Sequence, residues 1–477
     1  MTYTIVWFRR DLRLADHPAL WQAAQEGGVI PLYILDHEET TGAAELWWRH
    51  HSLHSLGKSL AKKNAPLLLR RGDPLQILYE IISTSSVTGV FWNRRYDPHG
   101  IAQDTTIKSA LHSKGITAKS FAGDCLVEPW LHHHKHRPYK VFTAFWKSLV
   151  SRFAIAPTLP EPQLSPWPHD LITGLSTESL QEWQLAPQRP NWAARFPEFW
   201  EPGESRAQLR LNEFLQESLS SYSCGRDFPA RNSVSRLSPH LSHGEVSPRQ
   251  IWHQTQAQMQ KQPSLAAVGE HFLREMGWRE FSWHLLYHFP TLPDAPLRPE
   301  FTDFPWNEDA SFLRRWQRGQ TGYPIVDAGM RELWQSGWMH NRVRMICASF
   351  LIKDLLIPWQ QGEAWFWDTL VDADLANNSA SWQWVAGSGA DASPYFRIFN
   401  PTLQSKKFDP EGSYIRRWVP ELARLPDRFI HQPGTADPDT LTRAGVRLGT
   451  DYPYPMVDHQ QARQHALDAF QQLKQSE

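Results

Sequence analysis

The sequence predicts a doubly wound α/β domain with a five-stranded parallel sheet, followed by a larger all-α domain. Three observations predict it. Short apolar runs alternate with amphipathic stretches up to about residue 125, a proline-rich tract follows from about 151 to 204, and beyond Glu204 the pattern is helical with no convincing strand run. A chain of 477 residues also exceeds what one hydrophobic core organises, so two or three domains are expected.

The strands are TIVWF (4–8), VIPLYIL (29–35), PLLLRRG (66–72), TGVFWN (88–93) and ITAKSFA (116–122). Between them lie the helical stretches 17–27, 44–63, 73–82 and 101–115, with Asp16 and Asp73 as N-caps ahead of a proline. No GxGxxG follows the first strand, where RRDLRLADHP (9–18) stands instead, so an ordinary dinucleotide-binding dehydrogenase is disfavoured. A ligand of this domain would by default sit outside the carboxyl ends of the strands. The tract APTLPEPQLSPWP to EPGES reads as a linker draped over the surface, which sets domains at 1–130 and 204–477 with a linker at 131–203. Within it, LHHHKHRPYK (131–140) reads as an exposed basic connector, because adjacent histidines in a regular element cannot converge on one metal ion.

A net charge of -1 excludes a broadly basic nucleic-acid coat but permits a local basic patch. Three cysteines (Cys125, Cys224, Cys347) without a CxxC suit a reducing compartment. The N-terminus lacks a signal-peptide core and no run approaches the length of a membrane helix, so a soluble cytoplasmic protein is expected. The 24 tryptophans suit a big core, since large aromatics are ordinary core and interface material, and where they cluster decides whether they mean more.

Four runs carry chemistry. SYSCGRDFPARNSVSRLSPHLSHGEVSPRQIW (221–252) sets four arginines against Asp227 and Glu245 and reads either as a solvated basic loop or as a phosphate site built from hydroxyl and N–H donors. REMGWREFSWHLLYHFP (274–290) is a helix placing Glu275, Trp278 and Ser282 on one stripe, which by itself reads as a core edge with a surface salt bridge or as a carboxyl raised in pKa beside an indole, the first being favoured. GWMHNRVRMICASFLIKDLLIPW (337–359) reads as one helix whose face carries Trp338, Asn341, Arg342, Met345 and Ser349, backed by Ile346, Phe350 and Leu351, as a cavity-lining helix would. The run 372–409 gathers acids, amides, tryptophans and small residues before a basic SKKF, a combination that suits a tightly shaped ligand pocket.

These runs resemble the DNA photolyase/cryptochrome family. TGYPIVDAGMR, GWMHNRVRM, DLANNSASWQW and YFRIFNP are most similar to bacterial cyclobutane-pyrimidine-dimer photolyases of the class I type, and the resemblance extends from VWFRRDLRL to YPMVDH. It implies an FAD held at its phosphates by Tyr222, Val234, Ser235, Arg236, Leu237 and Ser238, with valine at 234 where the family often has threonine. Arg344, Asp372 and Asp374 would bind the rest of the cofactor, and Asn378 would face flavin N5, where a neutral amide can accept from a protonated nitrogen without adding charge. The resemblance further implies a lesion site of Glu275, Trp278, Asn341, Arg342 and Met345, with Trp384 nearby and with Arg226 and Gln404 as DNA contacts. Ser282 shares the Glu275–Trp278 stripe and joins that set, while Lys406 and Lys407 suit the phosphate backbone. Trp306, Trp359 and Trp382 match the family's electron relay.

The implied activity is light-driven splitting of cyclobutane dimers in ultraviolet-damaged DNA, the lesion being flipped out as is general for enzymes acting on bases. Glu275 would hydrogen-bond the dimer if burial keeps it protonated. The alternative is a cryptochrome-like blue-light sensor without repair; the end of the chain reads as helix (HALDAFQQLKQ) where such sensors often carry a disordered tail. A photolyase for the (6-4) product is disfavoured, because that branch uses a histidine pair at the place of Met339-His340-Asn341 and here Asn341 is followed by Arg342. For the antenna, 5,10-methenyltetrahydrofolate is the default and a deazaflavin or flavin the other options, since Pro293 and Asp294 stand where one folate-binding branch has Cys-Lys. A monomer without an obligate protein partner is expected.

Overall fold

The computed structural model describes residues 2–135, 137–168, 171 and 174–475. The chain forms two compact units, one of Met1–Leu219, Ser235–Pro290 and Val371–Ala373, the other of Ser220–Val234, Thr291–Leu370 and Asp374–Glu477. The first unit thus takes in helices from beyond residue 203 as well as the sheet.

Its five strands, β1 (Tyr3–Phe8), β2 (Gly28–Leu35), β3 (Leu68–Arg71), β4 (Val87–Asn93) and β5 (Thr117–Phe121), are all parallel in the order β3-β2-β1-β4-β5. Ile5 pairs in register with Ile30 on one side and Val90 on the other. The strands are apolar on both faces because both are covered: Ile5, Trp7, Leu32 and Trp92 enter one core, Val6, Phe8, Tyr33 and Phe91 the other. The crossovers are α1 (Pro18–Glu26), α2 (Ala43–Ala61), α3 (Pro74–Thr84) and α4 (Pro98–Ser113). Asp73 caps α3 by accepting from the Gln76 N–H at 2.7 Å, and Asp97 does the same for α4 through Gly100. Asp16 does not cap α1. It adopts φ 54° and binds Arg249, while the imidazole of His17 accepts from the Leu20 N–H at 3.0 Å and takes the cap.

The proline-rich tract departs from the expected surface linker. Trp167, Leu171 and Leu175 pack into one sheet core, Leu180, Trp183 and Leu185 into the other, and the Trp167 indole donates to the Val29 carbonyl at 2.7 Å. Prolines prevent regular structure there but not side-chain burial, and the two sheet faces need covering. The tract is preceded by α5 (Phe142–Arg152), which packs on α8 (Ala266–His288); α6 (Glu204–Glu213) and α7 (Pro248–Lys261) complete the unit's long helices. The 131–140 connector is not wholly exposed either: His132 is 1% exposed among the rings of Tyr139, Phe145 and His284, while His136 lies outside the described residues.

The second unit is helical, built on α9 (Pro324–Ser336), α10 (Asn341–Ser349), α11 (Trp359–Thr369), α12 (Leu375–Ala386), α13 (Pro401–Phe408), α14 (Ser413–Trp418) and α15 (His459–Gln475). The single helix expected over 337–359 is broken. Gly337, at φ 68°, ends α9, and the His340 imidazole restarts the chain as α10 by accepting from the Arg342 N–H. A π-helical turn at Phe350–Asp354 and a left-handed Leu356 then separate α10 from α11. Trp338 therefore precedes the helix, and Ser349 is buried. Gly362 of α11 admits the Trp382 ring of α12 so closely that a Cβ there would lie 2.2 Å from it.

Candidate functional site

The residues assigned to FAD divide between the units. In the first, Arg236 holds φ 51° and Leu237 follows at φ -86°, ψ -6°. A left-handed residue followed by a right-handed one turns successive N–H groups to the same side, a nest that suits a phosphate. The Ser235 hydroxyl accepts from the Leu237 N–H at 3.4 Å, which holds that turn, and Asp372 is buried elsewhere in the same unit.

In the second unit Tyr222 is buried, with the Arg226 guanidinium 5.4 Å from its ring, and Val234 is half-buried. Arg344 Nε donates to the Met339 carbonyl at 2.7 Å. Asp374 is the N-cap of α12, accepting from the Asn377 N–H at 2.8 Å. Asn378, 8% exposed, donates through Nδ2 to the Glu363 carbonyl at 3.0 Å, and its Oδ1 makes no hydrogen bond among the described residues. The turn at Arg236–Leu237 suits a phosphate, and in the other unit the open oxygen of Asn378 suits a hydrogen-bond donor.

The lesion residues divide likewise. On α8, Glu275 and Trp278 are half-buried, and one Trp278 face stacks on Phe142 at 3.7 Å and 8°. Ser282 does not extend that stripe: it is 6% exposed and its hydroxyl donates back to the Trp278 carbonyl at 3.0 Å. A serine seven residues on drifts off the exposed line, and a hydroxyl facing the core bonds its own helix. The deeply buried carboxyl of α8 is Glu280. Burial pushes it up to about 7 against the opposing charge of Arg279, and it accepts from the Leu126 N–H at 2.7 Å.

In the second unit the open side of α10 holds together. Arg342 pairs with Asp227 at 2.8 Å, lies 4.4 Å over the Phe408 ring and reaches Met345 Sδ at 3.7 Å. It thereby ties α10 to the Arg226–Phe228 segment and to α13, which carries a half-buried Gln404 and exposed Lys406 and Lys407. Asn341 is exposed at the head of α10, and Trp384 is half-buried on α12. The role of Asp227 was not legible beforehand; its only signal was an acid among arginines.

Trp359 opens α11 and Trp382 lies on α12, both buried, while Trp306 is partly buried against Phe304, 4.4 Å between rings. The ring neighbours of Trp382 are Trp316 at 6.2 Å and Phe366 at 5.0 Å, so the three relay indoles are not in ring contact with one another.

The strand ends of the first unit are occupied by the chain itself. Asp11 accepts from Asn93 Nδ2 at 2.9 Å and faces His17 Nε2 at the same distance, and Arg13 pairs with Asp124 at 3.1 Å. Burial works to raise the Asp11 carboxyl, but the charge and hydrogen bond of His17, with Arg9, outweigh it and hold it down to about 2. The β1–β4 switch point, the default ligand position, is filled by these buried charges. Among the described residues no group of three or more His, Cys, Asp or Glu could hold a metal, and no helix is long and apolar enough to cross a membrane.

A parallel five-stranded α/β unit followed by a helical unit defines a class, and the chain belongs to the DNA photolyase/cryptochrome family. Residues 4–163 match the family described as DNA photolyase, and residues 272–472 match the FAD binding domain of DNA photolyase. The chain is 50% identical to a deoxyribodipyrimidine photo-lyase of Agrobacterium fabrum, over 99% of this chain and 98% of that one. It is 40% identical to Cryptochrome-2 of Arabidopsis thaliana, over 99% of this chain and 79% of that one. The crystal structure of a bacterial class III photolyase from Agrobacterium tumefaciens superposes with a TM-score of 0.97 at 48% identity, covering 100% of this chain and 98% of that one.

Proposed function

We propose that the chain is a DNA-repair enzyme that splits cyclobutane pyrimidine dimers with light. Reduced FAD, when bound, supplies the photoexcited electron for that reaction. The chain's own residues do the rest. Arg226, Gln404, Lys406 and Lys407 hold the damaged strand, and the Met345 thioether and the indoles of Trp278 and Trp384 meet the apolar body of the lesion. Asn341, Arg342 and Glu275 meet its carbonyl edges. Trp306, Trp359 and Trp382 carry an electron inward from solvent to restore the reduced state.

The observation that carries this reading is the open face of α10, where Arg342 is held by Asp227 with Met345 beside it. A blue-light sensor needs no such polar and thioether surface, and this favours repair although cryptochromes stand among the relatives. Within the photolyases, the class I type inferred from the motifs gives way to class III, because a relative 48% identical over the full chain is described as class III. We further propose that the protein works as a soluble monomer in the cytoplasm.

The test is the absorption spectrum of the purified protein, followed by blue-light illumination with ultraviolet-damaged oligothymidine. Flavin absorption and light-dependent loss of dimers are expected. Protein without flavin, or flavin without dimer loss, sinks the reading, and the second outcome favours the sensor.

A further inference from the structure

The loop after β1, RRDLRL (9–14), lacks a dinucleotide fingerprint, yet its second arginine bonds two distant segments of the first unit. Arg10 Nη2 donates to the Ala373 carbonyl at 2.7 Å and to the Ser242 hydroxyl at 3.0 Å, and Arg10 Nε donates to the Ser242 carbonyl at 3.3 Å. The Ser242 hydroxyl in turn donates to the same Ala373 carbonyl at 2.7 Å. One main-chain oxygen thus receives both a guanidinium and a hydroxyl.

Both segments adjoin residues assigned to FAD. Ala373 directly follows the buried Asp372, and the stretch Val371–Ala373 lies in a turn without helix or strand, so its main-chain groups must be met by side chains. Ser242 ends the short helix Ser238–Ser242, which begins straight after the Ser235–Leu237 turn that suits a phosphate. Arg10 and Ser242 therefore tie the Asp372 turn to the helix behind the phosphate turn.

The arginine is itself held in place. Glu45 on α2 is fully buried, lies 3.3 Å from Arg10 Nη2 and is shared with Arg49 at 2.6 Å. The main chain of the loop is seated on the turn after Ser242: the Leu12 N–H donates to the His243 carbonyl at 3.1 Å, and Arg13 Nη1 donates to the Gly244 carbonyl at 3.0 Å. The approach is close, since a Cβ on Gly244 would lie 2.2 Å from the Arg10 carbonyl oxygen. A planar guanidinium serves several acceptors from one fixed fork, which a lysine ammonium on a flexible stem does not.

We infer that Arg10 is a positioning residue for the flavin: it fixes the Asp372 turn against the helix that follows the phosphate turn. The loop that would bind a dinucleotide directly in a fingerprint-bearing domain here holds the residues that bind one. The inference rests on the flavin reading of the site and deepens it. Its partners lie 232 and 363 residues from Arg10, so no local pattern announces them.

The test titrates FAD into the deflavinated full-length protein, followed by flavin fluorescence, and compares melting temperatures without FAD and with a fixed excess of it. Arg10→Ala raises the Kd for FAD about tenfold or more, the worth of a charge-assisted hydrogen bond, and narrows the gain in melting temperature that FAD confers. Ser242→Ala, which loses a neutral donor to the same carbonyl, raises the Kd about fivefold. Because the two donors share one acceptor, the double variant departs from the product of the single effects. Arg10→Lys keeps the charge but not the fork and recovers only part of the affinity.

A merely structural role lowers both melting temperatures equally and leaves the Kd of Arg10→Ala unchanged, and this result overturns the inference. Full recovery of affinity in Arg10→Lys overturns it too, since charge alone would then suffice. If Arg10→Ala does not fold, Ser242→Ala carries the test, and a wild-type Kd in that variant overturns it as well. A wild-type protein that binds no FAD defeats the flavin reading itself, an outcome distinct from variants that bind FAD as tightly as the wild type.

Discussion

Trp306 separates two uses of an electron. If it is the outermost relay step, Trp306→Phe slows photoreduction of oxidised flavin by an order of magnitude or more while leaving repair by prereduced enzyme intact; equal loss of both removes the assignment. Gly362 is a sharper packing test. A methyl placed 2.2 Å from Trp382 must displace an indole in a buried interface, so Gly362→Ala should cost about 1–3 kcal/mol and lower the melting temperature. Gly57, mid-helix in α2 with nothing within 4 Å of an added Cβ, is the control. Gly57→Ala should be neutral or stabilise by roughly 0.5–1 kcal/mol through helix propensity and the unfolded chain. If the two substitutions shift the melting temperature alike, the Gly362–Trp382 contact is not the reason for that glycine.

Helix α10 shows how a short element serves a site larger than itself. Its nine residues are capped by His340, its inner face (Val343, Ile346, Cys347) is buried, and its outer face is organised by Arg342. The pairing with Asp227 holds a guanidinium that would otherwise sample many rotamers, and Phe408 supports it from below. Arg342→Ala should weaken binding of dimer-containing DNA by about tenfold, within the range of one specific arginine contact. Asp227→Ala leaves the Arg342 guanidinium in place but frees it from its partner, so its effect should be smaller. Fluorescence anisotropy with damaged and undamaged duplexes measures both, and unchanged affinity in Arg342→Ala would take α10 out of the DNA surface. The expected stripe was legible because Asn341, Arg342 and Met345 follow helical spacing. Its ends were not, because the positive φ of Gly337 and the π turn at 350–354 depend on what packs around them.

Buried titratable groups set opposing pH limits on the whole chain. His132 is held down to about 4 and His284 to about 3, chiefly by burial, so their neutral forms are favoured in the fold. Stability from them is present above about 6.5 and is lost as pH falls toward those values. Glu280 is raised to about 7, again by burial, and works in the other direction. Its contribution is full below about 4.5 and is lost as pH rises through 7, a loss on the order of 3 kcal/mol. Glu280→Gln should therefore flatten the fall in stability between pH 5 and pH 8, measured by urea unfolding at each pH. A variant with the wild-type slope would show that Glu280 ionises freely in the fold.

Period-two and period-3.6 patterns, proline-adjacent aspartates and long motif runs are properties of neighbouring residues, and they made the five strands, their crossovers, most helices and the family resemblance readable from the chain alone. What they could not supply depends on residues far apart in sequence. The proline-rich tract became part of two cores because the sheet has two faces to cover, and Asp16 left its helix because Arg249, more than two hundred residues away, binds it. Asp227 found Arg342, and Glu363 on one helix took hold of Asn378 on the next, for the same reason. Local spacing determines which face a side chain occupies, but a buried polar group must find a partner, and that partner exists only once distant segments have packed.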